Sequence, residues 1–122
     1  MVRARRNKTL ACSSDGVKIV VGDDFGNSLT PHGDNGKELA IYTDRLGIDP
    51  MHVIGWATKN GAEMMRMGDE FGTISPGKLA DLLVVDGDPI ADMRVLGDPA
   101  NLSVVMQGGR FVTNRLKMQS VA

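Results

Sequence analysis

Apolar residues in this chain gather in short runs, separated by stretches rich in glycine, aspartate and proline. The first run covers residues 17–21, where four of the five residues are apolar and valine and isoleucine dominate. Because such unbroken β-branched runs are typical of strands covered on both faces, this run predicts a short strand of a parallel sheet. The strand stops at Gly-Asp-Asp-Phe-Gly, residues 22–26, where glycine permits a sharp turn.

Two helices are predicted after a long glycine-rich loop over residues 23–36. Residues 37–46 have a helical pattern that Gly47 ends, and Asp49-Pro50 supplies a cap and a first-turn proline for the second helix. Apolar residues at three- and four-residue spacing predict the inward stripe of that helix, with Trp56 off the stripe; they are Met51, Ile54, Ala57 and Thr58. Asn60-Gly61 predicts a break, followed by a short helix over residues 62–67.

The last third of the chain predicts β-structure. Residues 80–86 are a strand candidate, and residues 90–100 are expected to be irregular or a single helical turn. Residues 103–107 and 110–113 predict a hairpin, because Gly108-Gly109 between them supplies the positive φ of a tight two-residue turn. The third part of the chain therefore differs in character from the helical part before it.

Composition limits the possible functions. The chain has 122 residues, enough for one domain but far fewer than the ~250 of a complete (β/α)8 barrel. With 14 basic and 15 acidic residues, it offers no electrostatic case for nucleic acid or an anionic membrane. No apolar run approaches a membrane span, so we expect a soluble, cytoplasmic protein. A single cysteine, Cys12, excludes an intrachain disulfide and a thiolate zinc cage, and the eight methionines are expected to fill the core.

Three side chains are candidates for chemistry. Asp23 and Asp24 follow the predicted strand at the end of a sheet where α/β folds gather ligands, or they simply open a turn. His32, on the loop that leaves the strand, could bind substrate or shuttle a proton, or could be an ordinary exposed residue. His52 has Trp56 at the position four residues on, so it is not part of a helical metal pair, and a structural role is expected.

Several motifs resemble one enzyme family. They are Gly22-Asp23-Asp24-Phe25-Gly26, Pro31-His32-Gly33, residues 57–62 (Ala-Thr-Lys-Asn-Gly-Ala), Gly72-Thr73-Ile74 with residues 76–82 (Pro-Gly-Lys-Leu-Ala-Asp-Leu), and residues 105–112 (Val-Met-Gln-Gly-Gly-Arg-Phe-Val). Together they resemble the C-terminal portion of metal-dependent amidohydrolases, closest to the imidazolonepropionase-like enzymes and Xaa-Pro dipeptidases. The resemblance extends from Gly16 to Thr113.

The resemblance implies an α/β fold that is the C-terminal part of a (β/α)8 TIM-like barrel plus part of a small β-sandwich domain. Residues 17–22 would be the last barrel strand, and the helices within 37–46 and 50–67 would follow it. The implied division is residues 1–71 for the barrel portion and residues 72–122 for strands of the β-sandwich.

The resemblance also implies the site. Asp24 matches the family's aspartate, which contacts the metal and acts as general base, so it is the expected catalytic and metal-binding residue. His32 matches a histidine near the substrate mouth and is the expected substrate-binding residue. The implied cofactor of the complete enzyme is Zn2+ or a similar divalent metal, with possibly none in this chain. The implied substrate is a small amide or a dipeptide.

The family's other metal ligands are not found in this sequence. Because hydrolytic zinc usually has three protein ligands, we expect the isolated chain to be inactive. Two functions follow: a piece of a larger amidohydrolase that hydrolyses an amide or peptide bond, or a non-catalytic binding or assembly module derived from such an enzyme. A lone barrel strand would present unpaired backbone, so we expect a homo-oligomer or association with the missing barrel part.

Overall fold

The computed structural model describes residue 11, residues 15–22, residue 26 and residues 32–116. Helices occupy the first part of this range and a small antiparallel sheet the last part. No helix in the described ranges is long and apolar enough to cross a membrane.

The first helix, α1, runs from Asn35 to Asp44, two residues ahead of the predicted start and end. Its first turn is held by Lys37, whose Nζ lies 2.8 Å from Oδ1 of Asp34. After Asp44 a turn follows that closes at Gly47, which has a φ of 61° and donates its N–H to the carbonyl of Thr43. The predicted helix and its glycine stop are therefore confirmed.

The second predicted helix is longer than expected. It comprises α2 (Pro50–Gly55), a π-helical turn (Trp56–Asn60) and α3 (Gly61–Met64) without interruption. The predicted start is confirmed, because Oδ1 of Asp49 accepts the Met51 N–H at 2.8 Å. The predicted break at Asn60-Gly61 is wrong, because Gly61 has helical dihedral angles and the helix continues through it. Glycine lowers helix stability but does not prevent a helix.

The core lies between α1, the α2–α3 helix and the 3-10 helix Met93–Gly97. Its buried residues are Ala40, Ile48, Val53, Trp56 and Met93. Of the predicted inward stripe, Ile54 is confirmed, because it packs against the core, whereas Met51, Ala57 and Thr58 are exposed. Trp56, predicted to lie off the stripe, points inward and meets the Tyr42 ring edge-on, with centroids 5.9 Å apart. Val53 and Trp56 are buried three residues apart, so the predicted spacing is right but the predicted side of the helix is largely wrong.

The methionines are mostly not core residues. Met93 is 2% exposed, whereas Met51, Met64 and Met65 are each more than half exposed. The prediction that methionines fill the core is therefore confirmed for Met93 and wrong for these three. Their apolar character alone could not distinguish the inward from the outward face of a helix.

Residues 17–22 do not form the predicted sheet strand. The segment is neither helix nor strand, and within the described part of the chain its backbone makes no hydrogen bond to another backbone group. Ile19 and Val21 pack against the core, whereas Val17 is 56% exposed, so the segment is covered on one side rather than on both. A strand needs neighbouring strands, and the described residues supply none at this position.

The sheet contains β1 (Leu82–Val85), β2 (Leu102–Gln107) and β3 (Arg110–Asn114), in that order and antiparallel. The β2–β3 hairpin is confirmed: the connecting glycines, Gly108 and Gly109, have φ of 55° and 79°. Two 3-10 helices, Met93–Gly97 and Pro99–Asn101, occupy the connection that was expected to be irregular or helical.

The sheet is covered on part of its surface only. Val104 is 3% exposed, but several apolar side chains on the strands face solvent; they are Leu83, Val84, Phe111 and Val112. The described ranges contain one three-stranded sheet and no second sheet packed on it. The predicted β-sandwich therefore stays a prediction.

Helix α1 connects the helical part to the sheet part. It packs against the 3-10 helix Met93–Gly97 at Gly36 and Gly97. A methyl group on Gly36 would overlap the Leu96 carbonyl oxygen and lie 2.7 Å from the carbonyl carbon. The absence of a side chain at Gly36 therefore permits backbone to approach backbone.

Candidate active site

Residues 17–22 are held in place by side chains of the α2–α3 helix. Nδ2 of Asn60, at the end of the π-helical turn, donates to the Ile19 carbonyl at 2.7 Å in a partly buried hydrogen bond. Nζ of Lys18 lies 2.5 Å from Oε2 of Glu63 in α3. The hydrogen bond from Lys18 lowers the pKa of Glu63 below its ordinary value, and partial desolvation opposes this. The helix thus fixes the segment that leads to the candidate carboxylates.

The two candidate carboxylates, Asp23 and Asp24, lie outside the described residues. The described chain stops at Gly22 before them and includes Gly26 after them. The assignment of Asp24 as catalytic and metal-binding residue stays a prediction.

His32 is exposed and lies against Gly26. A methyl group placed on Gly26 would lie 2.9 Å from Nε2 of His32, 3.4 Å from Cε1 and 3.6 Å from Cδ2. Gly26 has a φ of 108°, a conformation that residues with a side chain rarely adopt. The structure therefore brings the imidazole to the glycine that follows the candidate aspartates by two positions.

His52 lies elsewhere. It is exposed in the first turn of α2. Across the described ranges, no three His, Cys, Asp or Glu side chains come together in a way that could hold a metal ion. The described side chains therefore do not by themselves fit a hydrolytic zinc, which takes three protein ligands.

A cleft of about 440 Å3 lies away from the candidate site, between α1 and the 3-10 helix Met93–Gly97. Its charged lining residues are Lys37, Asp44, Arg45, Arg94 and Asp98. Nearby, the Arg94 guanidinium donates from Nε and Nη2 to the Asp92 carboxylate at 2.8 and 2.9 Å. These bonds lower the pKa of Asp92 and raise that of Arg94. Because the lining charges have both signs, the cleft gives no clear preference for a charged ligand.

Sequence reasoning missed two supporting residues. Asn60 was interpreted only as part of a helix break, although it falls in a motif that carries the family resemblance. Glu38, 9% exposed, accepts a hydrogen bond from Oη of Tyr42 at 2.8 Å, and that ring packs on Trp56. The four-residue spacing of Glu38 and Tyr42 on one helix face was the available signal.

Comparisons with known proteins agree with the family resemblance. A family model described as "Amidohydrolase family" matches residues 2–112. Adenine deaminase 4 of Rhizobium meliloti (strain 1021) is 38% identical over 91 residues, which is 75% of this chain and 14% of that protein. Imidazolonepropionase of Pyrobaculum arsenaticum is 41% identical over 71 residues, covering 57% of this chain and 17% of that protein.

A solved structure is similar over most of the chain. The crystal structure of a Xaa-Pro dipeptidase with bound methionine in the active site matches with a TM-score of 0.74 and 36% identity, over 89% of this chain and 25% of that one. The chain thus spans a quarter or less of these three relatives. The resemblance to amidohydrolases of the imidazolonepropionase-like and Xaa-Pro dipeptidase-like kinds is confirmed.

Proposed function

We propose, because this chain belongs to the amidohydrolase family, that it supplies the C-terminal part of an enzyme that hydrolyses a C–N bond in a small substrate. The names of its relatives, among them an adenine deaminase and a Xaa-Pro dipeptidase, support this class of reaction. The substrate we propose is a small amide or a dipeptide.

The observation that carries the proposal is the contact of His32 with Gly26. Gly26 follows Asp24 by two residues, and two residues of extended chain span at most ~7 Å. Because the His32 ring lies against Gly26, the imidazole and the Asp24 carboxylate could act on the same small substrate.

In the proposed reaction, Asp24 takes a proton from the water that attacks the carbon of the C–N bond. The carboxylic acid then returns the proton to the departing nitrogen, so Asp24 ends the cycle ionised. His32 would donate or accept a hydrogen bond to hold the substrate. Amidohydrolases are generally metal-dependent, and a bound Zn2+ or similar metal would acidify water. Ligands beyond Asp24 would come from another part of the enzyme.

The proposed architecture follows from the same premise. Residues 17–22 would be the last strand of a (β/α)8 barrel, α1 to α3 its following helices, and β1 to β3 part of a small β-sandwich. Residues 17–22, whose backbone makes no hydrogen bond to another backbone group within the described ranges, would then be paired by parallel strands of a missing barrel part, or by a second copy of this chain.

The first test uses the chain alone. We expect neither stoichiometric zinc nor hydrolysis of Xaa-Pro dipeptides when Zn2+ is added, measured by elemental analysis and by proline release. Turnover by the isolated chain would contradict the proposal that it is only a part of the site.

The second test combines the chain with the proposed missing barrel part, which is to be sought in the reading frame upstream of Met1. We expect D24N to lower the rate by about 10²- to 10⁴-fold, as loss of a general base does, and D23N to have a much smaller effect. H32A should raise KM, and H52A should leave it unchanged. Equal effects of D24N and D23N would contradict the role of Asp24. An active combination that tolerates D24N would favour the non-catalytic module.

A further inference from the structure

Two glycines that follow the 17–22 segment in the sequence, Gly26 and Gly33, have similar φ angles and different surroundings. Gly26 has a φ of 108° and Gly33 a φ of 100°. A methyl group on Gly26 would press on the His32 imidazole, with the nearest atom at 2.9 Å, whereas one on Gly33 would meet nothing within 4 Å. Only Gly26 is therefore constrained by a neighbouring side chain as well as by its backbone.

We infer that Gly26 is a positioning residue that seats the His32 imidazole; the inference rests on the proposed role of His32 in substrate binding. A β-carbon at position 26 would stand closer to Nε2 than real β-carbons stand to their neighbours. The ring would then have to move, because it is the free end of an exposed side chain, and the backbone at position 26 would be strained as well.

The contact with Gly26 also determines which nitrogen of the His32 ring can reach a substrate. Nε2, Cε1 and Cδ2 are the ring atoms nearest Gly26, so the Nε2 end of the imidazole faces the glycine. The glycine Cα–H there is at best a weak donor. Nδ1 is the nitrogen turned away, and we assign to it the hydrogen bond with a polar group of the amide or dipeptide substrate.

The experiment is NMR of the His ring signals in the 122-residue chain, which contains two histidines. H52Q assigns the two sets of signals, and His52 then serves as an internal reference. We expect G26A to shift the Cε1 and Cδ2 resonances of His32 and leave those of His52 in place. G77A is the control, since it adds a methyl at another positive φ, 86°, where nothing lies within 4 Å and the site is 45 positions from His32 in sequence. It should leave the His32 signals unchanged.

A measurement without substitution keeps the test decisive if G26A fails to fold. We expect nuclear Overhauser contacts between the Gly26 Hα atoms and the His32 ring protons in the unaltered chain. Their absence, or equal shifts of His32 in G26A and G77A, would overturn the inference.

The proposed function fails in a different way. Suppose that G26A moves the His32 ring while H32A leaves dipeptide hydrolysis by the combined enzyme unchanged. Gly26 then positions the ring, and His32 does not bind the substrate. If G26A raises KM as H32A does with little change in kcat, and G77A does not, both the positioning role of Gly26 and the substrate role of His32 stand.

Discussion

The segment at residues 17–22 and the sheet at the end of the chain are both rich in valine and leucine or isoleucine, yet only the second forms strands. In the sheet, β2 and β3 are adjacent in sequence and pair through a two-glycine turn, so each strand finds its partner locally. Residues 17–22 are held by side chains, notably Asn60, and by packing of Ile19 and Val21. A β-branched run specifies a strand only where the chain supplies a neighbour for its backbone.

The largest expected effect concerns the junction between the helical part and the sheet part. We expect G36A to lower the free energy of unfolding by about 3 kcal/mol, because the new methyl would collide with the Leu96 carbonyl rather than with a movable side chain. Urea unfolding followed by circular dichroism measures this change. G55A is the control, since a methyl on this helical glycine meets nothing within 4 Å and should stabilise the chain by up to about 1 kcal/mol. Similar midpoints for G36A and the unaltered chain would show that α1 does not depend on this contact.

The same contrast explains what sequence reasoning could predict. The hairpin and the Asp49-Pro50 helix start depend on neighbours within a few residues, and both are confirmed. The inward face of the α2–α3 helix passes through Val53 and Trp56, and the spacing of apolar residues alone does not tell which of two apolar sides of a helix faces the core.

The candidate site followed from the sequence to a smaller degree. The sequence puts His32 on the loop after residues 17–22, and His32 lies against Gly26, while its role in substrate binding is still a prediction. The anchoring hydrogen bond from Asn60 to Ile19 joins residues 41 positions apart, so no local pattern reveals it. Asp24 as the catalytic residue is still a prediction.

A smaller effect is expected at this anchor. N60A removes the donor to the Ile19 carbonyl, and we expect it to lower the free energy of unfolding by about 1 kcal/mol, since the hydrogen bond is only partly buried. The 13C resonance of the Ile19 carbonyl should also shift, whereas the carbonyl resonances of β2 should stay in place. T58A is the matched control: it removes a hydrogen bond from the same π-helical turn to the Ile54 carbonyl in α2, and should change stability by less than about 0.5 kcal/mol. If T58A shifts the Ile19 carbonyl resonance as much as N60A does, the anchor is not specific.

The smallest effect is expected from the Lys18–Glu63 pair, whose lysine side chain is 67% exposed. The hydrogen bond from Lys18 lowers the pKa of Glu63 in the folded chain below the ordinary value of 4.5. The pair therefore stabilises the chain fully above about pH 4.5, and this contribution is lost as the pH falls through the lowered pKa of the folded state.

In K18M the free energy of unfolding should therefore fall less steeply below pH 4.5 than in the unaltered chain. This difference between the two chains should shrink in high salt, because salt screens exposed charges. Thermal unfolding across this pH range measures it. R110M makes the same charge change on the sheet and should leave the slope unchanged. If K18M and R110M alter the slope equally, the effect is one of net charge, and Lys18 does not help to hold the 17–22 segment on the helix.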